Sequence, residues 1–270
     1  MGLKKYFFFF YLVSVPVFGN WELVSNEDGI KIFEKYSKGS SVLAFKGEMV
    51  SDSNIHELFT VIYDPKRKKD FLQNVVEFRP LRIVSSFKGV SYVKVGSNFP
   101  FIDDRDVILE SNIDVRAKEK KILIFVKNSS LKIVPEQEDT VRIPELQSLW
   151  TFEALGPSKT KVSYQSKTDP GGLIPKWLVN FANKTLPFKT LQKMRRLSKE
   201  KESFKDTALY VKYLIDFKPF LGENHPSGQR SKKEAIGLRD RVKDALKEAC
   251  DSGKKEACAF SKSFNLEYLK

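Results

Sequence analysis

The chain has 270 residues, with 47 lysines and arginines against 34 acids and a formal net charge of +13. That length allows one substantial core with a smaller appendage, and the charge points to an anionic partner such as lipid headgroups or nucleic acid. With no zinc-finger spacing, Walker loop or aromatic RNA-binding signature, nucleic acid is set aside, and lipid stands beside simple solubility as the reason for the charge.

The N-terminus reads Met1-Gly2-Leu3-Lys4-Lys5, then an apolar run from Tyr6 to Phe18, then Gly19 before Asn20. A charged start, a short apolar centre and a small closing residue predict a secretory signal peptide over residues 1–19. The alternative is a membrane anchor, but the run has 13 residues where a spanning helix needs ~20. The mature protein is therefore expected to be soluble and secreted or periplasmic.

Short strands come first, at Ile30 to Lys35 and Val42 to Val50. Asn54 and Glu57 form a helix-start pair, followed by Ile55, Leu58, Phe59 and Ile62 at helical spacing. The helix should stop at Asp64-Pro65, leaving Lys66, Arg67, Lys68 and Lys69 on a turn or short helix. A meander follows, near Val75 to Ser85, Gly89 to Gly96, Asp106 to Val115, Ile122 to Lys127 and Leu149 to Leu155. Within its third strand Val107, Leu109, Ser111 and Ile113 alternate with Ile108, Glu110, Asn112 and Asp114, so the first set should face inward.

Past the turn at Gly156 to Ser158, a further strand sets Val162, Tyr164 and Ser166 opposite Lys161, Ser163, Gln165 and Lys167. Asp169-Pro170-Gly171-Gly172 breaks it, because proline fixes φ and glycine admits positive φ. Trp177, Leu178, Phe181, Ala182, Leu186, Leu191 and Met194 then fall roughly at helical spacing. From Pro170 to Lys199 there are seven lysines or arginines and no acid. Sequential strands with hairpin-scale links, one early helix and one late helix define an α+β class with an antiparallel sheet.

Residues 201–270 change character, with helical patterns at Phe204 to Ile215, Lys232 to Cys250 and Lys254 to Phe264. In an oxidising compartment the isolated pair Cys250 and Cys258 suggests a disulfide, since Asp251-Ser252-Gly253 can fold two helices back on each other. On one continuous helix residues eight apart would lie ~12 Å apart, too far to bond.

Four patches resemble the START domain, the lipid-transfer module related to the steroidogenic acute regulatory protein. They are Trp21 with Asp28-Gly29-Ile30-Lys31-Ile32, the loop Phe99-Pro100-Phe101-Ile102-Asp103-Asp104-Arg105-Asp106, Val141-Arg142 with Trp150, and the run from Gly156 to Arg196. The resemblance covers about residues 21–198 of the domain assigned to 20–200. It implies a helix-grip fold, in which a curved antiparallel sheet wraps a long C-terminal helix and encloses a lipid-sized tunnel. It also implies that the loop before Arg105 and the helix after Pro175 form the gate. Sterol-binding members can carry a buried Glu and Arg in the tunnel; counted from Arg105, the matching positions are Tyr92 and Ser111, both uncharged. The tail, with Leu246 to Cys250 and Ala257-Cys258, faintly resembles the helical hairpins of Sel1-like repeats, a possible protein-interaction surface.

No catalytic constellation is visible. His56 reads as a surface residue and His225 as a loop residue, no His/Cys spacing suits a metal, and no cofactor is expected. Arg105 between Asp103, Asp104 and Asp106 reads as a salt-bridged gate. The expected lining comprises Tyr92, Val107, Leu109, Ser111, Ile113, Val162, Tyr164, Leu178, Phe181 and Ala182, with Trp177 beside them, and Phe99 and Phe101 gating the entrance. Lys176, Lys184, Lys189, Lys193, Arg195, Arg196 and Lys199 should help dock the protein on anionic membranes, with Lys189, Lys193, Arg195 and Arg196 as the main contacts. A non-enzymatic lipid carrier or sensor is the favoured function; the alternative is an enzyme on the same fold, like the polyketide cyclases, acting on a hydrophobic substrate.

Overall fold

The computed structural model describes residues 21–36, 42–97, 99–200 and Val211. The signal-peptide segment, the tail helices, His225 and the Cys250–Cys258 pair lie outside them. Ten strands run in chain order: β1 (Glu22–Glu27), β2 (Ile30–Lys35), β3 (Ala44–Ser51), β4 (Val75–Ser85), β5 (Lys88–Val95), β6 (Asp104–Arg116), β7 (Lys121–Asn128), β8 (Thr140–Arg142), β9 (Glu145–Gly156) and β10 (Lys159–Asp169). The helices are α1 (Ile55–Tyr63), α2 (Lys68–Phe71) and α3 (Lys176–Leu197). Among the described residues no helix is long and apolar enough to cross a membrane.

The strands form one sheet in the order β1-β2-β3-β10-β9-β7-β6-β5-β4, antiparallel throughout, with β8 added parallel to β6. This is the expected α+β helix-grip architecture, with α3 packed against β2 and β3. Two strands escaped the sequence reading. The edge strand β1 is largely polar, and β8 has three residues, too few to show alternation.

Strand register arranges the inner face in rungs, because directly opposed residues share a face. The first rung runs Ile30, Met49, Val162, Phe152, Ile122, Val115, and the second Ile32, Gly47, Tyr164, Trp150, Ile124, Ile113. Helix α1 seals these rungs with Leu58, Phe59 and Ile62, and α3 with Leu191, Met194 and Leu197. Asn54 caps α1 as expected: its side chain accepts from the Glu57 amide at 2.9 Å, and the Glu57 carboxylate accepts from the Asn54 amide at 2.9 Å.

Gly47 sets how closely α3 approaches. A Cβ there would stand 2.7 Å from Leu191 Cδ1, 3.4 Å from Ile32 Cδ1 and 3.5 Å from Pro187 Cβ. Leu191 is fully buried and has nowhere to retreat. Gly47→Ala should therefore destabilise the fold by about 1–3 kcal/mol, the usual cost of overpacking a core. Chemical denaturation measures this, and an unchanged midpoint would show that α3 is free to lift.

Candidate ligand-binding site

Beyond the second rung the inner face changes composition. The third rung runs Phe45, Ser166, Ser148, Val126, Ser111, Gly89, and in the fourth Thr168 pairs with Leu146 and Leu109 lies between Asn128 and Ser91. The fifth is apolar again, with Val107, Val93 and Phe78, and Arg105, Val95 and Val75 follow it. First-rung Val162 and Phe152 are wholly buried, whereas Leu109, Ser111, Val126, Ser148 and Ser166 are only half-buried although they face the helix side. A band of small and hydroxyl-bearing side chains thus separates two apolar clusters, one around Phe71, Trp150 and Phe152, the other around Val93, Val107 and Ile143.

The sheet-facing stripe of α3 is set by Pro187, Leu191 and Met194. Pro187 has no N–H to give the carbonyl one turn back, so it divides the helix. The same stripe runs N-terminally through Asn180, whose side-chain oxygen is buried without a hydrogen bond.

Most of the expected lining residues come together. Val107, Leu109, Ser111, Ile113, Val162 and Tyr164 all lie on the inner face. Val162 is core rather than lining, and Tyr164 is stacked on Trp150 with ring centres 4.0 Å apart. Burial pushes the Tyr164 hydroxyl pKa up, a hydrogen bond with Ser166 opposing it.

Tyr92 is a correction. It pairs with Ile108, so it lies on the outer face, packed with Val90 and Val134. Its hydroxyl is buried without a well-formed hydrogen bond, and burial, reinforced by the nearby Asp106 carboxylate, pushes its pKa up to about 12. The inward residue of that strand is Ser91. Alternation fixes faces within a strand, but the count from Arg105 crossed a loop, where parity is lost.

Trp177 and Phe181 are a second correction. They stand 69% and 59% exposed, turned away from the sheet-facing stripe, while Leu178 is buried and Ala182 half-buried. Phe101 and Leu173 are fully exposed and Phe99 nearly half so. Phe101 adopts φ +63°, a left-handed conformation uncommon for a bulky residue.

Arg105 is not the salt-bridged residue expected. Its guanidinium donates to the carbonyls of Asp103, of Pro170 at 3.4 Å and of Gly171 at 3.3 Å. Burial lowers its pKa, with the Asp103 and Asp104 charges opposing. The loop before β6 is thereby tied to the turn before α3, which brings the Phe101 and Leu173 loops to one end of the fold. Asp106 is instead held bidentately by Arg142, at 2.6 and 3.0 Å.

The basic residues of α3 divide. Lys184 pairs with Glu34 at 3.5 Å, Arg196 with Glu200 at 3.9 Å, and Arg195 with Asp28, whose carbonyl also accepts at 2.8 Å. Lys189 and Lys199 are exposed and Lys193 half-buried.

Lys68 is the one residue of its basic run that packs inward, which the sequence alone does not reveal. The residue is half-buried, and its ammonium donates to the Ile62 carbonyl and lies 5.8 Å from the Phe71 ring centre and 5.6 Å from that of Phe78. Burial lowers its pKa to about 8, against an opposing influence of Asp64. Phe71 packs edge-on against Trp150 of the second rung, and Phe78 belongs to the fifth.

No family model matches the sequence. The chain is 26% identical to human START domain-containing protein 10 over 211 residues, covering 76% of this chain and 68% of that protein. It is 27% identical to rat phosphatidylcholine transfer protein over 169 residues, covering 61% of this chain and 77% of that protein. The crystal structure of a STAR-related lipid transfer protein from Xanthomonas axonopodis superposes with a TM-score of 0.60 at 24% identity, covering 66% of this chain and 98% of that one. The sheet gripping α3 makes this a helix-grip protein. Within that class the sequence and fold matches agree, and what the chain is similar to is the START-domain proteins.

Lys68 also has a consequence for stability. It releases its proton near pH 8 when folded and near 10.5 when unfolded, so between those values the unfolded chain binds more protons. Stability contributed by this group should rise across that window. Melting temperatures from pH 8 to 10, compared with Lys68→Met, read the difference; parallel curves would mean the ammonium is solvated.

Proposed function

We propose that the mature chain is an exported, non-enzymatic lipid carrier that holds a single hydrophobic ligand between the third-to-fifth rungs and the N-terminal half of α3. The observation that supports this is the contrast along the inner face. At the centre of the sheet the first rung is buried, at Val162, Phe152 and Ile122, whereas Ser166, Ser148, Val126 and Ser111 of the third rung and Leu109 of the fourth, facing the same way, are half-buried. Apolar flanks with a few polar groups between them suit a lipid-sized ligand. Carriage is favoured over catalysis because the inner rungs offer hydroxyls and amides, with no histidine and no paired carboxylates among them. The named relatives, a START domain-containing protein and a phosphatidylcholine transfer protein, point the same way.

Docking on anionic membranes is assigned first to the apolar end. Phe99, Phe101, Leu173, Trp177 and Phe181 expose a greasy rim at the gate, and aromatic residues favour the membrane interface. Lys189 and Lys193 would add electrostatic attraction of about 1 kcal/mol each near an anionic bilayer. Arg195 and Arg196 are already occupied and would add less.

Protein recovered from the exported fraction should begin at Asn20 and release a lipid on organic extraction. Leu109→Trp should abolish that lipid while leaving the circular dichroism spectrum intact, because indole fills the space a ligand needs. Lipid-free native protein, or a Trp variant that keeps its lipid, would overturn the carrier reading.

For the rim, Phe101→Ser with Trp177→Ser should weaken binding to phosphatidylglycerol vesicles at both low and high salt. Lys189→Glu with Lys193→Glu should weaken it at low salt alone. If the serine pair binds vesicles like wild type, the rim does not enter the bilayer.

A further inference from the structure

Helix α1 is covered on every side. None of its residues from Ile55 to Tyr63 is exposed, and Leu58, Phe59, Thr60, Val61 and Ile62 are all buried. Five consecutive residues of a helix point all round its axis, so a helix buried in this way has neighbours all round. The sheet takes one side. Phe59 meets Phe152 of β9 edge-on with ring centres 6.2 Å apart, and Ile55 and Ile62 share that stripe. Thr60 and Val61 stand about 130° from the stripe in opposite directions, on the side turned away from the sheet. A single flanking helix such as α3 cannot cover both, yet Thr60 is 2% exposed and Val61 0%. The Thr60 hydroxyl already donates to the His56 carbonyl at 2.7 Å, so an apolar cover leaves no polar group stranded there.

The chain itself passes this place. It leaves α3 alongside α1: Ser198 Oγ lies 2.9 Å from Ser53 Oγ, just ahead of α1, and Glu200 pairs with Arg67 at 3.3 Å, just behind it. Further on, Val211 is helical, wholly buried, and part of the same core cluster as Leu58, Val61 and Leu197. In the sequence Phe204, Ala208, Val211 and Ile215 fall on one helical face.

We propose that residues 204–215 form a helix of the domain itself, docked by this apolar face on the side of α1 turned away from the sheet, with Val211 as its anchor. A helix of that length runs about 18 Å against about 13 Å for α1, enough to span it. The far side of α1 is then an interaction surface whose partner is this chain's own tail. The domain does not end at Glu200 but carries a third layer over α1, and a protein partner approaching from that side meets the tail instead of α1.

The test uses the full-length protein. Amide hydrogen exchange should find residues 204–215 protected along with α1. Val211→Ala should speed exchange in both segments more than in β5 and β6, and lower the melting temperature by about 4–8 °C, the scale of deleting buried methyl groups in a domain of this size. Unprotected amides across 204–215 in the wild-type protein, or a Val211→Ala variant that melts and exchanges like wild type, would overturn the inference. Protection of α1 that appears only at high protein concentration would also overturn it, since the cover would then be a second copy of the chain.

Discussion

Leu191 rests on β3 where Gly47 has no side chain, and that contact fixes how closely α3 lies on β2 and β3. The close approach lets Leu191, Met194 and Leu197 complete the core over the first two rungs, where burial of each apolar side chain contributes about 1.5–3 kcal/mol. Pro187, beside the same contact, interrupts the helical hydrogen bonding one turn further back. What precedes it need not follow the packing of what comes after. The closely packed half of α3 and the half that precedes Pro187 are thus two ends of one helix, divided where Gly47 and Pro187 meet.

A second constraint acts at the far end. Arg105 is buried with its donors on three backbone carbonyls, from its own loop and from the turn before α3. Those carbonyls would otherwise need water, and hydrogen bonds to a charged group are worth about 1.5–3 kcal/mol each. Gly171 and Gly172 make the latch possible. Both have positive φ, and a Cβ on Gly172 would lie 3.1 Å from the Arg105 guanidinium. Behind the latch, Asp106 and Arg142 join β6 to β8, so the loop bearing Phe99 and Phe101 is tied at its base and free at its tip. An exposed aromatic at φ +63° on a tethered loop is strain placed where contact with another surface is expected.

How much of this was legible in the sequence follows from the range of each signal. The alternation of Val107, Leu109, Ser111 and Ile113 was readable because side-chain parity is exact inside a strand. Tyr92 was misplaced because the same parity was carried across a loop whose length it does not govern. Trp177 and Phe181 matched a helical period, but the period cannot say which side of α3 the sheet will take. That choice is made at Gly47 and Pro187, distant in sequence. Lys68 was invisible for a different reason. In the run from Lys66 to Lys69 each residue looks solvated, and only the turn from α1 into α2 decides which one is carried inward.

The charge of the chain therefore has two meanings at two depths. On the surface much of it is spent: Arg195 on Asp28, Lys184 on Glu34, Arg196 on Glu200. Exposed pairs of this kind contribute little stability, typically below about 1 kcal/mol, and leave Lys189 and Lys193 on α3, with Lys199 just past its end, open to a partner among the described side chains. Deeper in, the half-buried Lys68 ammonium lies by two phenylalanine rings and the Ile62 carbonyl, and burial lowers its pKa to about 8 while the Asp64 charge opposes. Taking a charge out of water is costly unless a partner offsets it, and at Lys68 the neighbouring Asp64 carboxylate, at the end of α1, does so. The turn from α1 into α2 therefore supplies both the cation that is carried inward and the carboxylate that makes its burial tolerable.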